Sequence, residues 1–545
     1  MDMGETFSPS TVSGKIGNAI ALLACLYFFA AGQAFVPVLG IENDEPLFAN
    51  SLFDRAPPVY GIGRSRVPLM VNTYLGSLKT WIYAPIFRFF GTGVWQLREP
   101  AILIGAVSIW LFYLLLRRVA GTRAAVIGAC LLAADSDYLL TACYDWGPVA
   151  LQHLLLIGGM LLTVRFCQTG QMRALAGGFF LFGVAMWDKA LAIWMLSGMF
   201  VATLALYGRR VIALFTARRA AIAMAAFCVG ALPLIAFNIH SGMSTFRQNI
   251  VRDASAFPTK ARFIENALNG GGLFGYLEFE NGQTTAPHAS SSIIERASAK
   301  LADLAGHPRR SGMKYALIAA LLLAPLAGWA AMRATLFCLI AGAIAWLEMA
   351  SNANTGGSIH HTILLWPLPQ AIVAICFAGV SRKLGRAGLA AVTAALLFLT
   401  AAGVLMTNEY HAQMVRNGGA AAWSAALFPL SDDLKARAPK TVFCMDWGML
   451  NSLLLLQEGR IKLYVGSDPV FPKRDLTADD RRAIEWMLTQ PDALFVAHTP
   501  EAESFVGANE RLIEVAAGMG YRREVMAAIP DGYGRKIFEV YRMAR

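Results

Sequence analysis

Residues 73–90 read TYLGSLKTWIYAPIFRFF, and the direction this stretch takes decides how the rest of the chain is threaded. Apolar and aromatic side chains dominate it (Leu75, Trp81, Ile82, Ile86, Phe87, Phe89, Phe90), but Lys79, Pro85 and Arg88 interrupt them. Cations whose alkyl stems lie among aromatics suit a helix resting in a bilayer interface better than one crossing the lipid. Around this stretch, apolar runs near 16–38, 98–116, 123–140, 147–166, 173–188, 190–207, 217–238, 313–332, 334–350, 362–380 and 387–406 predict about eleven spans. The gaps between them hold Arg117, Arg118 and Arg123, then Arg165 and Arg173, Arg209 to Arg219, Arg333, and Arg382 to Arg386. If 73–90 lies flat, every one of these basic turns is cytoplasmic, as the positive-inside rule requires; if it crosses, the Arg117–Arg123 turn lands outside.

Composition fixes the class independently. Of 545 residues, 56% are hydrophobic and only 15% charged, and the mean hydropathy of +0.49 is that of a polytopic α-helical membrane protein. The net charge of +11 would suit a nucleic-acid partner if position were ignored. The basic residues lie in short turns between spans, so no nucleic acid is expected and the bilayer is the partner. Ile16 to Val38 is too long for a signal-peptide core and is expected to remain as a helix. The eight cysteines show no paired spacing and read as small core residues.

With 73–90 flat, residues 1–406 form a transmembrane domain whose unusual polar residues share the non-cytoplasmic face. They lie in a first loop at 39–97, the turns around Asp145, Asp188 and 351–361, and a large loop at 239–312 long enough to act as a lid. Residues 407–545 read as a soluble α/β domain on the same side. Strand-like runs at 441–445, 462–465, 493–497 and 536–541 alternate there with helical runs at 449–457, 478–488 and 510–519. Chemistry concentrates in Ile41-Glu42-Asn43-Asp44-Glu45-Pro46, three carboxylates in four residues at a membrane boundary, where solvation is costly unless something compensates it. Asp145 precedes Trp146, Gly147 and Pro148 at a helix start, a place equally suited to a cap. Asp135 and Asp137 stand nearby as alternatives for a second carboxylate. A second Asp-Trp-Gly at 446–448 is too short to indicate duplication.

The succession of Asp44-Glu45-x-x-Phe48-Ala49, an aromatic helix ending Phe89-Phe90-Gly91, Arg98-x-Pro100-Ala101, Leu115-Leu116-Arg117-Arg118-x-x-Gly121, an aspartate two spans later and Lys189 after Gly183 resembles GT-C-type glycosyltransferases. The branch is the one holding the lipid A aminoarabinose transferase and the protein O-mannosyltransferases. The likeness covers 16 to about 210 and rests beyond that on hydropathy and a terminal domain. It implies an inverting transfer of a hexose or pentose from a polyprenyl-phosphate carrier to a hydroxyl on a cell-envelope lipid, glycan or protein. The setting it implies is a bacterial inner membrane with a periplasmic terminal domain. By the same resemblance Asp44 is the general base, Glu45 its neighbour, and Asp145 orients the acceptor or a divalent cation.

A departing phosphate needs fixed cations, so Arg64, Arg66, Lys79 and Lys189 are substrate-binding candidates, with His360 and His361 behind them. Lys79 could equally snorkel to headgroups, and Lys189 could simply pair with Asp188. Adjacent histidines on one helix make a poor metal pair, and no zinc motif occurs. Mg or Mn is compatible with the carboxylates but not demanded by them, and no cofactor is certain. The competing class is a lipid or oligosaccharide transporter or flippase, which would distribute charge on both faces or repeat it between halves.

Overall fold

The computed structural model describes residues 14–53, 60–62, 67–280, 292–353, 355–471 and 474–545. Seven helices among them are long and apolar enough to cross a membrane: Gly14–Phe35, Val94–Ala120, Val149–Thr169, Ala192–Leu214, Trp329–Ala350, Ile359–Lys383 and Gly385–Asn417. The other expected spans are also helical, two of them bent and two short. The run at 123–140 is Thr122–Ala133 and Ser136–Cys143, bent by 60°, and the run at 217–238 is Ala217–Gly230 and Leu232–His240, bent by 71°. The run at 173–188 is Met172–Asp188, of 17 residues, and the run at 313–332 opens with Met313–Leu323, of 11 residues.

Each bend has a chemical cause. At the first, Asp135 takes the Tyr138 amide on Oδ1 at 2.9 Å, which starts a new helix. Its Oδ2 accepts from Trp366 Nε1 at 2.9 Å and Gln370 Nε2 at 2.8 Å, so the carboxylate fastens the bend to another span. At the second, Pro233 in the first turn of Leu232–His240 has no amide hydrogen to continue the preceding ladder. Helices approach closely where glycine allows it. A Cβ on Gly183 would meet Phe227 O at 2.1 Å, and one on Gly230 would meet Phe180 O at 2.3 Å, so two backbones touch there.

The first inter-span loop is built rather than loose. Strands β1 (Tyr60–Ile62) and β2 (Val67–Met70) pair antiparallel, and helix Leu78–Phe90 follows. That helix buries Lys79, Thr80, Tyr83 and Phe87 while Phe89 and Phe90 stand 79% and 72% exposed. An apolar outer edge opposite a buried lysine is the amphipathic pattern read from the sequence. The described residues of the segment at 239–312 contain helices too, Ser244–Asn249, Phe257–Leu268 and Ile293–Ala305, so they are not a bare loop.

The last span overruns its expected end at 406 and stays helical to Asn417. Beyond it lies a five-stranded sheet of β3 (Thr441–Cys444), β4 (Lys462–Val465), β5 (Ala493–His498), β6 (Arg522–Pro530) and β7 (Lys536–Ala544), in the order β4-β3-β5-β7-β6. The first three strands are parallel with crossover helices, and β6–β7 is an antiparallel hairpin added at the edge. Strand β6 was not anticipated: its faces mix Glu524, Val525, Met526 and Ala527 without the alternation that marks a half-buried strand. This unit shares an apolar core with the first loop, where Ile41, Phe48 and Tyr83 pack with Leu427, Leu430, Met449 and Leu453. Asn451 seals the contact, its amide N donating to Asn43 Oδ1 and its Nδ2 to Asn43 O, both at 3.1 Å.

One buried ion pair ties the loop to the spans. Arg98 donates from Nε to Glu45 Oε2 at 2.9 Å and from Nη2 to Glu45 Oε1 at 2.8 Å. Its remaining hydrogens go to Val36 O, Leu39 O and Gly40 O at 2.7, 3.0 and 2.6 Å. All five donors are used at a residue with no exposed surface. Arg98→Met should therefore lower thermal stability in detergent by the equivalent of about 3–5 kcal/mol by orphaning Glu45, while Arg98→Met with Glu45→Gln should regain part of it. Equal losses in the single and double variants would refute this account.

Candidate functional site

Because Glu45 is claimed by Arg98, its neighbour Asp44 faces the other way. The turn holding Asp44 is fixed twice by backbone: Gly147 N donates to Asp44 O at 3.3 Å, and Glu45 N to Glu42 O at 3.1 Å. The first of these bonds sets the Asp44 and Asp145 turns side by side. Asp44 Oδ1 has one long contact, from Asn43 Nδ2 at 3.3 Å. Burial pushes its carboxyl above the ordinary value, against the Asn43 contact and the charge of Lys189, which pull it down. Behind it, Glu42 is fully buried, receives the Asp44 amide on Oε2 at 2.8 Å, and leaves Oε1 without a partner. Burial and the neighbouring Asp44 push that carboxyl well up.

Asp145 divides its oxygens between both of the roles open to it. Oδ1 accepts from Val149 N at 2.8 Å and Ala150 N at 3.1 Å, a helix-end cap. Oδ2 lies 3.0 Å from Lys79 Nζ. Lys79 does not snorkel: it is 3% exposed, bonds Asp145 O at 2.9 Å and sits 4.9 Å from the Phe48 ring. Lys189 is equally buried and does not pair with Asp188, whose two carboxylate oxygens have no hydrogen-bond partner. Its backbone is held by a bridge to Leu75, and its Nζ lies 3.0 Å from where a Gly147 Cβ would stand, so glycine keeps that space for the ammonium. Burial lowers the Lys189 pKa to about 8, opposed by Asp145, Asp188 and Asp44.

Asp44, Lys79 and Gly147 line a small cleft together with Leu47, Phe48, Leu75, Gly76 and Pro148. It holds one carboxylate with a nearly free oxygen pair and two ammonium groups near its edge. This donor set does not fit a divalent cation, since both Asp145 oxygens are taken and two cations already crowd the site. Among the described residues no cluster of three metal-type ligands occurs.

The remaining candidates sort themselves. His360 accepts a hydrogen bond from Trp146 Nε1 and so backs the Asp145 turn. His361 pairs with Ser358 Oγ at 2.9 Å. The two rings do not diverge as adjacent helical positions suggest, since their centroids are 4.2 Å apart. Tyr276 of the cover segment and Trp423 complete an aromatic wall around Trp146, at 5.8 and 5.4 Å. Arg64 and Arg66 lie outside the described residues. Asp135 serves its bend, and Asp137 accepts from Gly272 N at 3.2 Å, so neither supplies a second carboxylate to the cleft. Arg98 is the residue missing from the sequence-derived set. It stood in the motif opening its span, but nothing local revealed that its partner is Glu45, 53 positions away.

Residues 77–236 match the family model described as dolichyl-phosphate-mannose-protein mannosyltransferase. The search of curated proteins finds no match. Among solved structures, the fold resembles ArnT from Cupriavidus metallidurans bound to undecaprenyl phosphate, with a TM-score of 0.54, 14% identity, and coverage of 97% of this chain and 98% of that one. It also resembles the Archaeoglobus fulgidus oligosaccharyltransferase in its apo form, with a TM-score of 0.51, 12% identity, and coverage of 89% and 70%. The resemblance drawn from the motifs thus agrees with a family model over part of the chain and with the fold of these structures.

A buried lysine whose pKa falls on folding prefers the neutral form in the native state. The unfolded chain then binds more protons between about pH 8 and 10.5, so stability rises with pH across that window. Wild type should gain thermal stability relative to Lys189→Met over that range; parallel curves for the two proteins would refute it.

Proposed function

We propose that this chain, which has the fold shared by GT-C glycosyltransferases, transfers a sugar from a polyprenyl-phosphate carrier to an acceptor hydroxyl at the end of the spans holding Asp44. One observation carries the reading: Asp44 and Lys79 line a single cleft, the Lys189 ammonium stands beside its Gly147 wall, and an amphipathic helix with an exposed aromatic edge adjoins it.

In the reaction the acceptor oxygen attacks the anomeric carbon as Asp44 takes the hydroxyl proton, and the bond from that carbon to the phosphate oxygen breaks with inversion. A raised pKa strengthens Asp44 as a base. The leaving phosphate gains negative charge, and a fixed ammonium stabilises it. Lys189 is the better placed of the two for that task, because Lys79 spends its hydrogens on Asp145 Oδ2, Asp145 O and Glu45 O. Lys79 and Asp145 thus act as positioning residues, holding the turn that faces Asp44. The shorter Phe89–Phe90 end of helix 78–90 lies where a lipid carrier would pass, since large exposed aromatics at an interface rest among acyl chains. Tyr276 and the cover segment at 239–312 stand over the opposite side, where an acceptor would approach. A divalent cation is not required, because the ammonium groups supply the positive charge. A bacterial inner membrane, with the terminal α/β unit on the same side as the cleft, is the setting that fits the basic turns.

Asp44→Asn keeps the shape and removes the base. In an assay with purified protein and polyprenyl-phosphate sugar, transfer should fall by about 10²–10⁴ while carrier binding and thermal stability stay near wild type. Activity within a few-fold of wild type would remove Asp44 from the chemistry.

A further inference from the structure

At the opposite end of the same helices lies a second, differently built cleft. It is a groove of about 330 Å³ lined by Leu114, Arg117 and Arg118 from Val94–Ala120 and by Leu161, Leu162 and Arg165 from Val149–Thr169. Arg98 and Arg117 stand on one helix 19 positions apart, which is about 28 Å of rise and close to the thickness of a hydrocarbon core. The groove is therefore separate from the Asp44 cleft and across the bilayer from it.

Its arginines are ordered without being neutralised. Arg117 donates from Nη1 to Asn18 Oδ1 at 2.9 Å and lies 5.8 Å from the Tyr113 ring. Tyr113 OH donates to the same Asn18 oxygen at 2.8 Å, which fixes the amide. Arg118 donates from Nη1 to Gln168 Oε1 at 3.2 Å, and Gln168 Nε2 donates back to Arg118 O at 3.0 Å, closing a clamp between the two helices. Among the described residues each of these two guanidinium groups is held by a neutral amide through one donor, which leaves its charge unpaired there. Arg165 on the facing wall is exposed and makes no described side-chain bond. No aspartate or glutamate occurs between Pro100 and Ala134 or between Trp146 and Trp187. Asp2 and Glu5 precede the described residues.

Three unneutralised guanidinium groups above a leucine-lined slot match a ligand with an anionic phosphate head and an apolar tail. A soluble phosphate would leave Leu114, Leu161 and Leu162 unused, and a neutral lipid would leave the charge unanswered. We propose that this groove is a binding site for an anionic glycerophospholipid of the basic-side leaflet. The inference rests on the helices spanning the bilayer and not on the transferase reading.

The test uses the full chain reconstituted in nanodiscs of equal phosphatidylcholine and phosphatidylglycerol, transferred to mild detergent, with retained lipids counted by native mass spectrometry. Wild type should keep phosphatidylglycerol with about a tenfold preference. Combined Arg117→Gln, Arg118→Gln and Arg165→Gln should abolish that preference, and Arg165→Gln alone, which breaks no intramolecular bond, should weaken it if the triple variant fails to fold. Arg209→Gln, an exposed cation outside the groove on the same side, should leave it unchanged. Equal retention of both lipids by wild type, an undiminished preference in Arg165→Gln, or release of the lipid by glycerol phosphate would overturn the proposal.

Discussion

The Arg98 guanidinium is the constraint from which the candidate site follows. A charge with no contact to water must have every donor satisfied, and it takes three carbonyls of the turn leaving the first span together with both oxygens of Glu45. That demand folds residues 36–45 back onto the start of the second long span. Once Glu45 points inward to the arginine, Asp44 must point away from it, toward the turn that carries Asp145. The close acidic pair thus splits into one carboxylate held by Arg98 and one with a single long contact.

The same economy governs the other charges at that end of the spans. Asp145 gives one oxygen to helix capping and the other to Lys79, and Lys79 returns a bond to the Asp145 carbonyl. Among the groups that border the cleft, Asp44 keeps one long contact and the Lys189 ammonium faces the open side of Gly147, while Asp188 and one oxygen of Glu42 are buried without hydrogen-bond partners. Groups left unspent at the cleft are the ones available for a ligand.

Identical local sequence does not produce identical sites. Asp-Trp-Gly occurs at 145–147 and at 446–448. The first instance faces Lys79 across a cleft. In the second, Asp446 Oδ2 accepts from His498 Nδ1 and from Ser504 N, both at 2.8 Å, closing the ends of two parallel strands. The tripeptide bends the chain in both places, while the elements packed around it decide what the aspartate meets.

Sequence alone determined the class, the course of the apolar helices, an amphipathic helix within 73–90 and most of the terminal α/β pattern. These follow from hydropathy, charge placement and periodicity, which are local and survive without coordinates. It also marked Asp44, Lys79, Asp145 and Lys189 as chemically notable, because ionic groups beside a bilayer need a reason. It did not show the bends at Asp135 and Pro233, since a broken helix keeps the same mean hydropathy as a straight one. It did not show that Arg98 owns Glu45, that Lys79 owns Asp145, or that Asp135 and Asp137 serve packing. Those are pairings between segments tens to hundreds of residues apart, and only the tertiary fold, which chooses the neighbours of a buried charge, could assign them.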